Sequence, residues 1–266
     1  MEENMGLSSN ILHDKVCVVT GAAKSIGLAI ARKFAEQGAV TAMIDIDPAV
    51  MVSAGELADK GYIAKGFVQD ITNRDEVIAL FADITGKMGD VFCLVNNAGV
   101  VDQRPFEETR AEHFDLMYRV NVYGSAWCIQ GALPGMKKNK SGKIINFSSK
   151  SGKTGSALMV PYSSAKGAVI AMTQALAYEL APFNINVNCV CPGITDDTGV
   201  WDSVSEGYIG NLKMEREEVV KQFAAKIPLK RLTSIDEIVE YVFFLAASGD
   251  YCTGQALNIT GGREMH

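Results

Sequence analysis

The sequence predicts an α/β fold in which about seven parallel strands form one doubly wound sheet with helices on both faces. Short β-branched runs alternate with longer stretches of helical periodicity almost from one end of the chain to the other. The short runs are apolar nearly throughout, as in strands that are buried on both faces. Because crossovers between parallel strands are right-handed, the intervening helices are expected to cover each face of the sheet.

The position of each element follows from these patterns. Strands are predicted near residues 15–20, 40–45, 63–69, 91–96, 143–148, 185–191 and 256–260. Helices are predicted through residues 26–37, 48–60, 73–88, 110–138, 161–182 and 234–247. No repeat, composition shift or proline-rich linker divides the 266 residues, so we expect a single domain over 1–266.

One long stretch, at about 194–214, lacks clear periodicity. It directly follows Pro192-Gly193 at the end of a predicted strand. Ligands bind at the carboxyl ends of strands in open α/β sheets, and long loops there are commonly lids. We therefore predict a substrate lid, with a disordered insertion as the alternative.

Composition excludes several classes of function. The net charge is −6, which offers no basic footprint for nucleic acid or an anionic membrane. The first fifteen residues contain no basic flank or apolar segment of a signal peptide, and no apolar run approaches the length of a membrane span. A cytoplasmic protein that binds neither nucleic acid nor membrane is expected.

The cysteines and histidines do not suggest a metal site. Most of the six cysteines fall inside apolar runs, no C-x-x-C pair occurs, and the three histidines lie far apart in the sequence. Cys189 and Cys191 point to one face of a strand, which a metal could use, but buried reduced thiols are the favoured interpretation. We expect no bound metal.

The stretch TGAAKSIG, residues 20–27, lies between a predicted strand and a predicted helix. Its Lys24-Ser25 pair is similar to the end of a P-loop, but that motif requires glycines where this chain has Val18 and Ala23. A P-loop is therefore excluded.

A dinucleotide-binding turn is the second interpretation of this stretch. Gly21 and Gly27 fit such a turn, in which the backbone approaches a pyrophosphate at a helix N-terminus, whereas Ser25 replaces a usual third glycine. Serine would be strained at position 25 if that position requires a positive φ. A turn that binds no ligand is the alternative.

Tyr162 and Lys166 lie four residues apart at the start of a predicted helix, so both side chains project from one face. A tyrosine that acts as a base near neutral pH must lower its pKa by about three units, or roughly 4 kcal/mol. An ammonium group about 4 Å away supplies an energy of that order at an effective dielectric constant of ~20. The pair is also common as an ordinary helix surface.

Six motifs in one order identify the chain as similar to the short-chain dehydrogenase/reductase family, whose members have a Rossmann fold. They are TGAAKSIG, Asn96-Asn97-Ala98-Gly99, Asn121 within VNVYG, Ser149, Tyr162-x-x-x-Lys166 and Pro192-Gly193. The resemblance covers essentially the whole chain. It implies an oxidoreductase that interconverts a secondary alcohol and a ketone by hydride transfer.

The resemblance also implies the role of four residues. Tyr162 is the general acid/base, Lys166 tunes it and holds the nicotinamide ribose, Ser149 bonds the reacting oxygen, and Asn121 anchors a water in a proton relay. A cofactor-binding sensor or scaffold without catalysis is the alternative of a different class, but the presence of all four residues disfavours it.

NAD is the expected cofactor. Asp45 ends the second predicted strand, where a carboxylate accepts hydrogen bonds from ribose hydroxyls and repels the 2′-phosphate of NADP, although Lys24 is a contrary hint. The residues that the resemblance assigns to the cofactor are Gly21, Lys24, Ser25, Ile26, Gly27, Asp45, Ile46, Asp70, Ile71, Asn97, Ala98, Gly99, Tyr162, Lys166, Pro192, Gly193 and Thr195.

The sequence leaves open whether the substrate carries a phosphate, because two groups of charged residues indicate different substrates. Parts of the chain resemble sorbitol and galactitol dehydrogenases of the family, and others resemble sorbitol-6-phosphate 2-dehydrogenase. Lys150 and Lys153 beside Ser149 could hold a phosphate, whereas acidic residues of the predicted lid would repel one and could bond polyol hydroxyls. The acidic residues of the lid are Asp196, Asp197, Asp202 and Glu206.

A free polyol is the favoured substrate, with Trp201 as a further candidate contact. A phosphate ester and a hydroxysteroid are the alternative substrates. Both groups of charged residues would also be explained if they only form a solvated rim of the site.

The helix over 161–182 has apolar residues nearly all round, which predicts burial on two sides and a homodimer or homotetramer.

Overall fold

The computed structural model describes residues 10–196 and 216–266. Within these ranges the strands are β1 Val16–Thr20, β2 Val40–Asp45, β3 Ala64–Val68, β4 Val91–Asn96, β5 Gly142–Phe147, β6 Ile185–Pro192 and β7 Ala256–Ile259. All seven pair in parallel in one sheet, in the order β3-β2-β1-β4-β5-β6-β7. The predicted fold class is confirmed.

The helices alternate with these strands. They are α1 Ser25–Glu36, α2 Ala49–Asp59, α3 Arg74–Met88, α4 Ala111–Tyr118, α5 Ser125–Asn139, α6 Lys150–Thr154, α7 Val160–Leu180, α8 Arg216–Ala225 and α9 Ile235–Ala247, with short 3₁₀ turns at Phe106–Glu108 and Ala181–Phe183. Most bounds lie within one or two residues of the predicted ones, but α6 and α8 were not predicted. No helix in the described part of the chain is long and apolar enough to span a membrane.

Both faces of the sheet are buried, which explains why its strands are apolar at consecutive positions. On β1, Cys17 and Val19 belong to a core cluster with α1, α2 and α9, whereas Val16 and Val18 belong to a cluster with α3, α5 and α7. Alternate side chains of a strand point to opposite faces, so two covered faces require two sets of apolar residues.

The helix predicted over 110–138 is confirmed in extent, since residues 111–139 are helical throughout, but it is not α-helical along its whole length. A π-helical stretch, Arg119–Gly124, separates α4 from α5. Within it, the Asn121 Nδ2 donates at 3.0 Å to the carbonyl of Met117 and at 3.0 Å to that of Val100. The apolar pattern continues through the widened turn, so periodicity could not reveal it. Such single-turn π-helices occur frequently at functional sites.

The parallel sheet brings the functional segments to one edge. The segments that follow β1, β2, β4, β5 and β6 all leave its carboxyl edge, and the strand order reverses between β1 and β4. A crevice at such a reversal is the usual ligand site of open α/β sheets. Of the predicted lid at 194–214, residues beyond 196 lie outside the described residues.

Candidate active site

A cavity of about 520 Å³ lies at the carboxyl edge of the sheet. Its walls come from the segments after β4, β5 and β6, the start of α7, the end of α8 and the C-terminal segment. The four residues with implied catalytic roles all line it, and they are Asn121, Ser149, Tyr162 and Lys166. The fold thus gathers into one cavity four residues that are spread over 46 positions of the chain, from 121 to 166 inclusive.

Tyr162 and Lys166 occupy successive turns at the start of α7. Pro161 stands in the first turn, where its fixed φ and missing N–H are compatible with a helix. The side chains are almost fully buried, with Tyr162 8% and Lys166 4% exposed. The Lys166 Nζ lies 5.7 Å from the centroid of the Tyr162 ring and donates to the carbonyl of Phe147 at 2.8 Å. β5 therefore fixes the ammonium beside the tyrosine.

Burial dominates the titration of this pair. It raises the pKa of Tyr162 to about 12, against a hydrogen bond with the Ser149 hydroxyl that lowers it. Burial also lowers the pKa of Lys166 to about 8. In the protein without cofactor, desolvation of the phenolate is the largest effect on Tyr162, so the role of Lys166 in tuning this tyrosine stays a prediction. At neutral pH, Tyr162 is a proton donor.

Two adjacent serines follow β5, and they have different partners. The Ser148 hydroxyl donates to the carbonyl of Lys166 at 2.8 Å, which ties β5 to α7. Ser149 caps the N-terminus of α6, where its Oγ accepts from the Ser151 N–H at 3.1 Å. Its bond with the Tyr162 phenol makes Ser149 the serine that can also reach an oxygen held by the tyrosine.

Asn121 is held rigidly, and Gly99 is packed against it. Besides its two donated bonds, Asn121 accepts the Val100 N–H through Oδ1 at 3.3 Å. A Cβ atom at Gly99 would lie 2.7 Å from this Oδ1 and 3.4 Å from the Lys166 Nζ. Glycine at position 99 therefore allows the segment after β4 to approach these buried polar groups closely.

The turn after β1 is braced by a side chain from the end of β4. The Asn97 Nδ2 donates to the carbonyl of Thr20 at 3.0 Å and to that of Gly21 at 3.1 Å. Ser25 has a φ of +53°, so the strain expected for serine in this turn is present. A Cβ atom at Gly27 would lie 2.0 Å from the Gly21 carbonyl oxygen, so glycine is obligatory there.

The carboxylate of Asp45 lies against the same turn from the β2 side. Its Oδ2 accepts the Ala23 N–H at 2.9 Å, and its Oδ1 accepts the Asp47 N–H at 3.0 Å. Asp45 is partly exposed, and the neighbouring Ile46 is 67% exposed. An exposed apolar surface beside a fixed carboxylate, next to a tight glycine turn, fits the adenosine half of a nicotinamide dinucleotide.

Two other residues assigned to the cofactor follow β3. Asp70 is exposed, and its Oδ1 accepts the Thr72 N–H at 2.8 Å. Ile71 is buried, and a Cβ atom at Gly124 would lie 2.6 Å from its Cδ1. The side chain of Ile71 therefore packs in the core beneath the π-helical stretch, which leaves its backbone as the surface for a ligand.

The remaining assigned residues divide by location. Ile26, Asn97, Gly99, Pro192, Gly193, Thr195 and Lys150 line the cavity. The Ala98 N–H is bound to the Thr20 hydroxyl at 3.1 Å and so helps to fix the turn. Eight others lie outside the cavity lining, at the end of β2 or directly after β1, β2 or β3: Gly21, Lys24, Ser25, Gly27, Asp45, Ile46, Asp70 and Ile71. Trp201, Asp197, Asp202 and Glu206 lie outside the described residues.

Lys153 does not line the cavity, although it was predicted beside Lys150 as a substrate contact. Its Nζ donates to the carbonyl of Ala256 at 2.7 Å. Three residues after Lys150, at the end of the short helix α6, its side chain extends toward β7 instead. We therefore drop Lys153 as a substrate contact.

Sequence reasoning missed several residues of the cavity wall. Val100, Met159, Ile194 and Phe223 add apolar surface, and Lys226 and Arg263 add positive charge. Phe223 and Lys226 were missed because α8 was not predicted. Arg263 could have been found, because it follows the last strand and the carboxyl ends of parallel strands meet at one edge.

Titratable groups elsewhere carry no metal site in the described ranges. No group of three or more His, Cys, Asp or Glu residues there is placed to hold a metal ion. All six cysteines are free thiols, and Cys189 and Cys191 are fully buried.

The chain is similar to dehydrogenases over nearly its whole length. A family model described as short chain dehydrogenase matches residues 15–209. Sorbitol dehydrogenase of Cereibacter sphaeroides is 32% identical over 257 residues, covering 96% of this chain and 99% of that protein. Galactitol 2-dehydrogenase of Agrobacterium fabrum is 32% identical over 256 residues, also covering 96% and 99%. The crystal structure of NAD⁺-bound xylitol dehydrogenase matches with a TM-score of 0.89 at 31% identity, covering 94% of this chain and 99% of that one.

Proposed function

The chain belongs to the short-chain dehydrogenase family, and on that premise we propose that it is an NAD-dependent dehydrogenase that interconverts a polyol and its ketone. The observation that carries the proposal is the convergence of Ser149, Tyr162 and Lys166 in one cavity at the carboxyl edge of a doubly wound sheet. The cavity volume of about 520 Å³ suits a small substrate together with part of a cofactor.

Each catalytic residue has a step that its position supports. Tyr162 donates its proton to the ketone oxygen in reduction and accepts the hydroxyl proton in oxidation. Ser149, bonded to the same phenol, holds the reacting oxygen beside it. Lys166 supplies positive charge against the phenolate that oxidation requires, and Asn121 fixes the backbone at Val100 and Met117. A bound nicotinamide supplies the redox chemistry, since it gives or takes the hydride.

NAD is the proposed form of the cofactor because of Asp45. Two backbone N–H groups donate to its carboxylate and so fix this negative charge where we expect the adenosine ribose of a dinucleotide. A 2′-phosphate there would be repelled. Lys24 is exposed in the turn and could favour NADP, but among the described residues its side chain has no hydrogen bond or ion pair that would fix it near Asp45. A ratio of kcat/KM that favours NADP would refute this assignment.

The substrate class follows from the relatives. Two relatives and one solved structure are named for sorbitol, galactitol and xylitol, each with secondary alcohols. We propose to measure NADH formation with a panel of free polyols, polyol phosphates, hydroxy acids and hydroxysteroids. Turnover of polyols supports the proposal, and turnover of hydroxysteroids alone would replace it.

We also propose that the chain is a single domain that assembles into a homodimer or homotetramer in the cytoplasm. One face of α7 packs on the sheet, whereas Tyr178 on its other face is 87% exposed. The free thiols support a reducing compartment. Sedimentation that gives a monomer at micromolar concentration would refute the assembly.

A further inference from the structure

We propose that Lys150, Lys226 and Arg263 form an anion-binding wall in the active-site cavity, so that the polyol substrate carries a carboxylate or a phosphate ester. The inference rests on the proposed function and narrows its substrate class. We call these three residues the cationic wall.

The cationic wall is assembled from three distant parts of the chain. Lys150 begins α6, Lys226 directly follows α8, and Arg263 lies beyond β7, yet all three line the cavity that contains Tyr162. Lys226 and Arg263 flank one aromatic ring of that cavity. The Lys226 Nζ lies 5.6 Å and the Arg263 Cζ lies 5.9 Å from the centroid of the Phe223 ring.

None of the described residues that line the cavity has a carboxylate side chain. The carboxylate beside the wall is that of Glu264, whose Oε1 lies 3.5 Å from the Arg263 Nε, but Glu264 is buried and does not line the cavity. Among the described residues, the Lys150 Nζ donates one hydrogen bond, at 3.3 Å to the Gly155 carbonyl. An ammonium has three donors, so this group can bond a ligand as well.

Bringing like charges together is unfavourable unless an anion offsets it. Burial, followed by the charge of Arg263, lowers the pKa of Lys150, while the charge of Glu264 raises it. Glu264 therefore offsets part of the repulsion between the two cations, and the Lys226 charge adds to the repulsion at the same cavity. A guanidinium binds a carboxylate or a phosphate through two parallel hydrogen bonds, and each ammonium adds a charge-assisted bond.

The position of Lys150 fixes where the anion lies on the substrate. Lys150 directly follows Ser149, which holds the reacting oxygen in the proposed mechanism. The charged group therefore lies within a few carbons of the reacting carbon, as in a sugar acid or a short sugar-alcohol phosphate. Apolar residues such as Met159 also line the cavity and can contact the carbon chain of the substrate.

Turnover of three matched alcohols with NAD tests the cationic wall. The probes are sorbitol, gluconate and sorbitol 6-phosphate, which share a polyol chain and differ in charge. We expect kcat/KM for one anionic substrate to exceed that for sorbitol by about tenfold or more, because one charge-assisted bond has that magnitude. Preference for gluconate identifies a carboxylate, and preference for the ester identifies a phosphate.

Variants then tie the preference to the wall. Arg263→Gln and Lys226→Gln should each lower the ratio of charged to neutral kcat/KM by about tenfold, mainly through KM. Lys137→Gln is the matched control, since the Lys137 Nζ stacks 4.8 Å from the Phe183 ring centroid but does not line the cavity. It should leave the ratio unchanged.

The outcomes separate this inference from the proposed function. If kcat/KM for sorbitol equals or exceeds kcat/KM for both anionic probes, the cationic wall is refuted and the proposal of a polyol dehydrogenase stands. If no probe turns over, the proposed function fails. The cationic wall is then tested by calorimetry, which measures the affinity of the NADH-bound protein for inorganic phosphate and for acetate. Binding that weakens at least about fivefold in Arg263→Gln retains the wall, and no binding or an unchanged affinity overturns it.

Discussion

Replacing Tyr162 by phenylalanine removes one oxygen atom from the cavity and leaves the ring in place. The Tyr162 ring is 8% exposed, so its packing should persist in the variant. The lost hydroxyl is the proposed proton donor, and general acid–base catalysis contributes about 10²–10⁴-fold to rate. We expect kcat to fall by about 10³-fold or more, which corresponds to roughly 4 kcal/mol of transition-state stabilisation.

Stability should change far less than activity. The hydroxyl makes a hydrogen bond with Ser149, and the loss of one such bond costs about 1 kcal/mol, or a Tm shift of about 2–4 °C at this chain length. NADH affinity should be retained, because the coenzyme contacts assigned to the turn and to Asp45 are untouched.

The assay is NADH formation from sorbitol or the preferred panel substrate, with NADH binding followed by fluorescence quenching. Tyr178→Phe is the matched control, since Tyr178 lies on the same helix and is 87% exposed. It should keep full activity. A Tyr162→Phe variant with more than about a tenth of the original kcat would refute the assignment of the proton donor.

Three other predictions follow from particular contacts. Alcohol oxidation requires the Tyr162 phenolate, and the pKa of Tyr162 is raised to about 12. The value of kcat/KM for oxidation should therefore rise with pH from neutrality into the alkaline range, while kcat/KM for ketone reduction stays level. A plateau of the oxidation rate below neutral pH would contradict this. Asp45→Asn keeps an acceptor for the Ala23 N–H but removes the charge, so relative kcat/KM with NADP should rise about tenfold or more, and an unchanged ratio would count against the ribose contact. Gly99→Ala places a methyl group 2.7 Å from the Asn121 Oδ1, so turnover should fall about 10²-fold with the fold intact by circular dichroism, and full activity would show that the approach is not needed.

The sheet could be predicted from sequence because its strands are buried on both faces. Consecutive apolar residues such as Val16, Cys17, Val18 and Val19 leave few alternatives for a short run between helical stretches. The helix α8 is short, and four of its ten residues are charged, so its apolar pattern was too brief to predict a helix. The residues that it brings to the cavity were missed with it.

The positions of the proposed catalytic residues could be predicted from sequence, but the environment of their side chains could not. Ser149, Tyr162 and Lys166 were found from motif order and spacing, and all three line the cavity. Whether the pKa of Tyr162 is raised or lowered depends on how much water the fold removes from its side chain. The spacing of residues in the sequence carries no information about that burial. The π-helical stretch around Asn121 was hidden for a related reason, since one widened turn leaves the pattern of apolar residues almost unchanged.

The glycine turn after β1 is held on two sides before any ligand arrives. Asn97 fixes its carbonyl groups from β4, and Asp45 fixes the Ala23 N–H from β2. The strained φ of Ser25 is therefore maintained by folding rather than by ligand binding. A dinucleotide that enters such a turn loses little affinity to loop ordering, so its association should be fast and nearly independent of any conformational step. Removing the hydrogen bonds of Asn97 or of Asp45 to this turn should then lower the association rate of the dinucleotide more than it lowers the rate of hydride transfer.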